Sequence, residues 1–327
     1  MIDKRNFYIN GKWVKPFKTN DFEVINPSNE EPFGIISLGS KEDTDAAVKA
    51  AKNAFINWKE TSKKERINLL EKLLKIYKKR FDEMAKAMSL EMGSPIDFAT
   101  STHAASGQSH LEDFILRLKE FKFEENFNPK SNNHIALEPI GVCGLITPWN
   151  WPINQVVSKL APCLAAGCTS VLKPSEISPL SAIIFAEIMH EAGTPAGVFN
   201  MVHGYGPIVG EAMSKHPNID MMSFTGSTRG GVSVAKSSAE TVKRVSQELG
   251  GKSPNIILDD ACFEQSVSRG VSGCMNNTGQ SCNAPTRMLV PKNRHDEAAQ
   301  IAKRVAESMK TGDPKSNDTD IGPLVSE

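Results

Sequence analysis

Four short groups of residues carry side chains able to do chemistry, and one sulfur stands out among them. Cys282 lies in Gly279-Gln280-Ser281-Cys282-Asn283, a small polar loop that leaves room for a substrate to approach. A free thiol has a pKa near ~8.5, so only a minor thiolate fraction exists at neutral pH, yet that fraction is strongly nucleophilic. The other five cysteines, Cys143, Cys163, Cys168, Cys262 and Cys274, sit in apolar or helical stretches, where an inert structural role is the usual one. The same group as Cys282 includes Glu248-Leu249-Gly250-Gly251-Lys252-Ser253-Pro254. Lys173-Pro174-Ser175-Glu176 follows an apolar segment, at the end of a strand where α/β sheets bind ligands. A lysine there donates to sugar hydroxyls and a carboxylate accepts from them; standing alone, the pair reads equally as solvated surface charge. Phe224-Thr225-Gly226-Ser227, continuing to Gly231, suits a turn that opens a helix and points free N–H groups at a phosphate. By itself it is an ordinary strand–helix turn. The last group is Thr147-Pro148-Trp149-Asn150-Trp151-Pro152. In isolation Asn150 reads as a turn former and Glu248 as a strand-end acid.

These groups need a scaffold, and the patterning supplies one. Phe7–Ile9, the Asn10-Gly11 turn, Trp13–Val14 and Phe22–Ile25 predict short strands, with Glu31-Pro32-Phe33-Gly34 as a turn among them. Ser40 with Asp43 and Ser62 with Glu65 fit capping boxes. The apolar stripe from Leu69 to Met88 predicts one helix that Gly93 and Pro95 stop. The stretch from Phe121 to Leu137 is polar and irregular and reads as an excursion. From Gly141 onward, apolar segments at Cys143–Ile146, Ser170–Leu172, Val198–Val202 and Met221–Phe224 alternate with helical ones such as Leu180–Ala192 and Gly206–Ser214. That alternation predicts an α/β, doubly wound parallel sheet. A further βαβ unit is expected after Pro254: Asn255–Leu258, a helix near Glu264–Cys274, Arg287–Val290, then a helix from His295 to Met309.

Bulk properties exclude several classes. The 327 residues carry 38 basic and 38 acidic side chains, so no net field favours nucleic acid or an anionic membrane. No apolar run escapes interruption by Pro and amide residues for a spanning length, and no secretory h-region opens the chain, which predicts a soluble cytoplasmic protein. The cysteines form no C-x-x-C pair and show no zinc spacing, so neither a disulfide framework nor a metal site is expected.

Taken together, the order and separation of the four groups resemble the aldehyde dehydrogenase superfamily, from the amino terminus to the last residue. The resemblance implies an NAD-binding domain over 1–118 and 138–249, an oligomerisation excursion over 119–137, and an α/β catalytic domain from 250 to 327. It implies that Cys282 attacks an aldehyde, that Asn150 and the Cys282 N–H hold the oxyanion, and that Glu248 activates the water that hydrolyses the thioester. It implies cofactor contacts from Ile146, Thr147, Trp149, Lys173, Ser175, Glu176, Gly206, Gly210, Phe224, Gly226, Ser227, Gly231 and Leu249. Glu176 would repel a 2′-phosphate, favouring NAD over NADP. Family members assemble as dimers or tetramers. Against the family's pattern the chain ends early, inside the expected catalytic domain, without the later Glu-x-Phe-Gly-Pro segment. A truncated catalytic domain would leave unpaired strand edges, so the isolated chain is expected to aggregate readily and turn over little. A non-catalytic remnant that binds NAD or a partner, and a thiol-dependent esterase, are the alternatives from other classes.

Overall fold

The computed structural model describes residues 1–128 and 132–326. The chain opens with β1 (Ile2–Asp3), β2 (Phe7–Ile9), β3 (Lys12–Val14), β4 (Asp21–Asn26) and β5 (Glu31–Ser37). Asn10 and Gly11 both take left-handed φ, as a two-residue hairpin turn between β2 and β3 requires. Glu31 to Gly34 is not the expected turn; it is the first half of β5. The pairing register shifts at Val24/Ile25, opposite Pro32, and this bulge lets the ladder tolerate a residue without an N–H.

Helices α1 (Lys41–Trp58) and α2 (Lys63–Lys79) start on the two predicted capping boxes, with Ser40–Asp43 and Ser62–Glu65 bonding reciprocally. The helix expected to run on through Met88 instead breaks at Arg80 and restarts as α3 (Phe81–Met92). Arg80 leaves helical geometry and its guanidinium bonds Glu83 and Glu187. The apolar spacing gave no sign of the break because both helices pack on the same core. A single turn α4 (Ile96–Phe98) and a π-helical segment (Ala99–Ala104) lead into α5 (Ala105–Glu120). The predicted excursion contains an exposed hairpin, β6 (Glu124–Asn126) with β7 (His134–Ala136); residues 129–131 of it lie outside the described residues.

The main sheet follows: β8 (Val142–Ile146), α6 (Pro152–Ala165), β9 (Thr169–Lys173), α7 (Leu180–Glu191), β10 (Phe199–Met201), α8 (Glu211–Lys215), β11 (Met221–Gly226), α9 (Thr228–Ser238) and β12 (Arg244–Leu249). Its spatial order is β12-β11-β8-β9-β10-β2-β3, with β8 to β12 parallel. In sequence order the parallel strands lie 5-4-1-2-3, so the winding reverses between β8 and β11. Side chains alternate across the sheet. Cys143, Leu145 and Leu172 join a core with α2, α5, α6 and α7, while Val142, Ile146 and Val171 join one with α1. Both faces are covered, as a parallel sheet demands. Beyond it, β13 (Pro254–Ile256), α10 (Phe263–Met275), β14 (Arg287–Leu289) and α11 (His295–Ser308) form the expected βαβ unit around a smaller apolar cluster. No helix among the described residues is long and apolar enough to cross a membrane.

Candidate functional site

In a doubly wound sheet, ligands bind outside the carboxyl ends of the strands, at the point where the strand order reverses. That point here lies between the ends of β8 and β11, and the predicted residues cluster around it. Ile146, Lys173, Gly226 and Leu249 are the last residues of β8, β9, β11 and β12. Thr147 and Thr225 flank the reversal, and both hydroxyls are buried without a hydrogen-bond partner. A buried orphan polar atom is costly, so two of them beside one crevice fit a polar ligand bound there.

Lys173 is buried, donating to the Pro174 carbonyl at 2.9 Å and to Glu176 at 3.1 Å. Burial lowers its pKa, while Glu176 opposes that shift. An ammonium has three donors, so one remains for a ligand. Ser175 accepts from the Ile177 N–H, and the Trp149 carbonyl accepts from Ser178. Ser227 caps α9, its hydroxyl accepting from the Gly230 N–H at 3.1 Å. This spends the side chain but leaves other first-turn N–H groups open. Phe224 packs where a side chain at Gly226 or Gly230 would clash, and Leu249 does the same at Gly231. Gly206 is exposed and Gly210 packs against Ile146. These glycines hold the backbone close around the crevice.

The Cys282 loop is held by polar ties. Trp151, the residue before α6, donates from its indole to Ser281 at 2.8 Å. Asn150 donates from its side-chain amide to the Gln280 carbonyl at 2.9 Å. Both contacts fall within two residues of Cys282, which is half-buried. One N–H of the Asn150 amide remains beyond that bond. Glu248 pairs with Thr225 in the β11–β12 ladder and so shares the sheet face that α6 covers. A side chain on Gly251, three residues later, would approach the Cys282 carbonyl to 3.5 Å, so the strand end and the cysteine loop adjoin.

Three contributors escaped sequence reasoning. Lys159 of α6 donates to Ser223 at 2.9 Å. Burial pushes its pKa down to about 8, against the pull of the Glu248 charge, so the two sit within electrostatic reach. Asn277 donates to the Asn150 carbonyl at 2.8 Å and to the Gln280 carbonyl at 3.2 Å. Its Oδ1 meets His103 Nε2 at 2.9 Å. Because the Asn277 amide nitrogen already donates, Oδ1 must accept, which fixes the proton on His103 Nε2. Burial drives the His103 pKa down to about 4, so the ring is neutral. Asn277 and Thr278 take left-handed φ of 55° and 57°. Asn tolerates that region, so the Asn276-Asn277-Thr278-Gly279 run carried a readable turn signal; nothing near His103 did. Of the remaining cysteines, Cys143, Cys163 and Cys168 are buried as expected, but Cys262 is exposed at the start of α10.

The sequence pattern of the Aldehyde dehydrogenase family matches residues 13–327. The chain belongs to that family. It is 51% identical over 327 residues to a 3-succinoylsemialdehyde-pyridine dehydrogenase from a Pseudomonas species, covering all of this chain and 68% of the relative. An aldehyde dehydrogenase structure from Bartonella henselae superposes with a TM-score of 0.98 at 52% identity, covering 100% of this chain and 69% of that one. Aldehyde dehydrogenase C from Pseudomonas syringae, solved with NAD+ and octanal, gives 0.97 at 47% identity, covering 99% of this chain and 66% of that one. The α/β fold with its parallel sheet is that of these enzymes.

Proposed function

We propose that the site oxidises an aldehyde to a carboxylic acid with NAD, through a thioester on Cys282. The observation that carries this reading is the bond from the Asn150 amide to the Gln280 carbonyl, which fastens a donor to the loop that carries Cys282. Lys173 and Glu176 would hold the adenosine ribose, and the first turn of α9 after Gly226-Ser227 would hold the diphosphate. The Glu176 carboxylate would repel a 2′-phosphate, which favours NAD over NADP. Bound NAD supplies the acceptor for the hydrogen that leaves the substrate carbon with its electron pair.

The Cys282 thiolate attacks the carbonyl carbon and the oxygen becomes an oxyanion. The free Asn150 N–H and the Cys282 backbone N–H stabilise it; one such donor is worth roughly 3–4 kcal/mol. Collapse leaves an acyl thioester on Cys282. Glu248 then takes a proton from the attacking water, help that typically amounts to about 10²–10⁴-fold. We extend the reading to the division of the chain, with 250–327 as the catalytic portion and the exposed β6–β7 hairpin as an assembly surface.

The test is to mix the chain with NAD and octanal and to follow NADH absorbance and the mass of the Cys282 peptide. An octanoyl adduct that persists in Glu248→Gln and is absent without NAD is expected. Acylation by an activated ester with no NAD-dependent adduct from the aldehyde would favour an esterase and defeat the proposal.

A further inference from the structure

Three thiols that the proposed chemistry does not use lie together behind the sheet. Cys163 and Cys168 sit at the end of α6, and Cys143 lies on β8. The end of α6 is a Schellman motif. The Cys168 N–H donates to the Cys163 carbonyl at 3.0 Å, the Gly167 N–H donates to the Leu164 carbonyl at 3.0 Å, and Gly167 takes φ +83°. In this motif the two outer residues, here Cys163 and Cys168, bring their side chains into contact across the turn. Each of the three thiols interacts with the other two, and all three are buried.

The surroundings distinguish Cys168 from its neighbours. The Arg66 guanidinium fills the space beside Gly167, coming within 2.7 Å of where a side chain there would begin, and its charge acts on Cys168. Arg66 is held by the carbonyls of Lys59, Thr61 and Ala165. The Cys143 and Cys163 thiols, and the backbone N–H groups of Gly141 and Ile140, all favour negative charge on the Cys168 sulfur and lower its pKa. The Cys163 thiol stays protonated, bonding the Thr169 carbonyl at 3.7 Å. A cavity of about 490 Å³ opens at Arg66, walled by Lys59, Lys63, Phe123 and Pro139, and stops at Pro139, next in the chain to the Ile140–Gly141 segment whose N–H groups face Cys168.

We propose that Cys163 and Cys168 are a peroxide-sensitive dithiol served by the Arg66 cavity, separate from Cys282. A thiolate favoured by a nearby cation is the reactive partner of a thiol pair, and at a cysteine only 3% exposed the oxidant must be as small as hydrogen peroxide. The Cys168 thiolate attacks one oxygen of hydrogen peroxide, the O–O bond breaks, and hydroxide leaves; sulfur is oxidised to a sulfenic acid. The Cys163 thiol then displaces that oxygen as water, and an S–S bond closes the Schellman turn.

The experiment uses the whole chain, purified reduced, exposed to hydrogen peroxide, then alkylated in denaturant and digested. The peptide holding both Cys163 and Cys168 is expected to lose two hydrogens, refuse the label, and recover both sites after reduction. The bridge should persist in Cys143→Ser and in Cys282→Ser, and in Cys163→Ser a sulfenic acid on Cys168, trapped by dimedone, should take its place; an untouched Cys168 thiol there would count against the proposal. Full labelling of Cys163 and Cys168 after Cys282 has been oxidised would overturn the proposal. So would a bridge that joins Cys143 to either of them, and mapping in the parent chain decides this even if a variant fails to fold.

Discussion

Two parallel strand pairs in this molecule look alike in sequence and differ in what surrounds them. Every residue of β8 and β9 is buried, whereas β13 and β14 alternate exposed and half-buried positions, with Ile256 62% and Leu289 53% exposed. The first pair has a helical layer on each face and carries the crevice. The second rests on the small cluster of α10 and α11. The crevice side of the site is therefore built on packing, while the Cys282 loop is aligned by hydrogen bonds from Asn150, Trp151 and Asn277. A site assembled from two such halves should respond to substitution in two distinct ways.

The largest effect belongs to the sulfur. Cys282→Ser should cut aldehyde-dependent NADH formation at least about 10⁴-fold, or about 5 kcal/mol of barrier, and leave the urea midpoint unchanged. Loss of stability in parallel would mean that Cys282 is part of the packing. Next comes the strand contrast. Leu172→Ala empties a fully buried position on β9 and should cost roughly 2–5 kcal/mol in urea unfolding. Leu289→Ala on β14 should stay within about 0.5 kcal/mol. Equal costs would erase the distinction between the pairs.

Asn150→Ala tests the polar tie. It removes the proposed oxyanion donor together with the bond to Gln280, and kcat should fall about 10²–10³-fold with little change in KM. Asn277→Ala leaves Asn150 in place and should lower kcat by a smaller factor; a larger loss than Asn150→Ala would make the tie, not the donor, the dominant contribution.

The same contrast explains what could be read from the sequence. Strand–helix alternation exposed the sheet, because burial on two faces demands continuous apolar strands, and two capping boxes marked the starts of α1 and α2. The Cys282 loop stood out for its small polar residues around a sulfur, whereas Asn150 and Lys173 were singled out only by the order and spacing they share with the family, since alone they read as a turn former and a surface charge. Lys159 and His103 were not, since a lysine or histidine inside an amphipathic stretch looks like solvated surface until the fold turns it inward. The helix break at Arg80 was hidden by an apolar stripe that serves both helices equally.

Acid sharpens the comparison last, because each half holds one neutral histidine. Burial drives the His203 pKa down to about 3, helped by the Lys173 charge, and its two ring nitrogens have no partner. His103, in the polar tie, is lowered to about 4. Both folded values lie below the unfolded one, so between pH ~6.5 and ~4 the unfolded chain binds two protons that the folded chain refuses, and stability falls with pH. Glu91 works in the opposite sense. Burial raises it to about 7 even though it accepts from the Ser181 N–H at the start of α7, so the folded chain holds a proton there that the unfolded one releases above pH ~4.5. Each group contributes about 1.4 kcal/mol per pH unit when fully engaged, which leaves one histidine's worth near pH 5. His203→Phe keeps a ring and removes one titration, so its urea midpoint should fall less steeply with acid than the parent's, by that same amount. An unchanged slope would place a charged, solvated His203 in the folded protein and contradict the sealed packing of the sheet half. His103→Asn should flatten the slope equally while lowering kcat at every pH, because only that histidine is joined to the Cys282 loop.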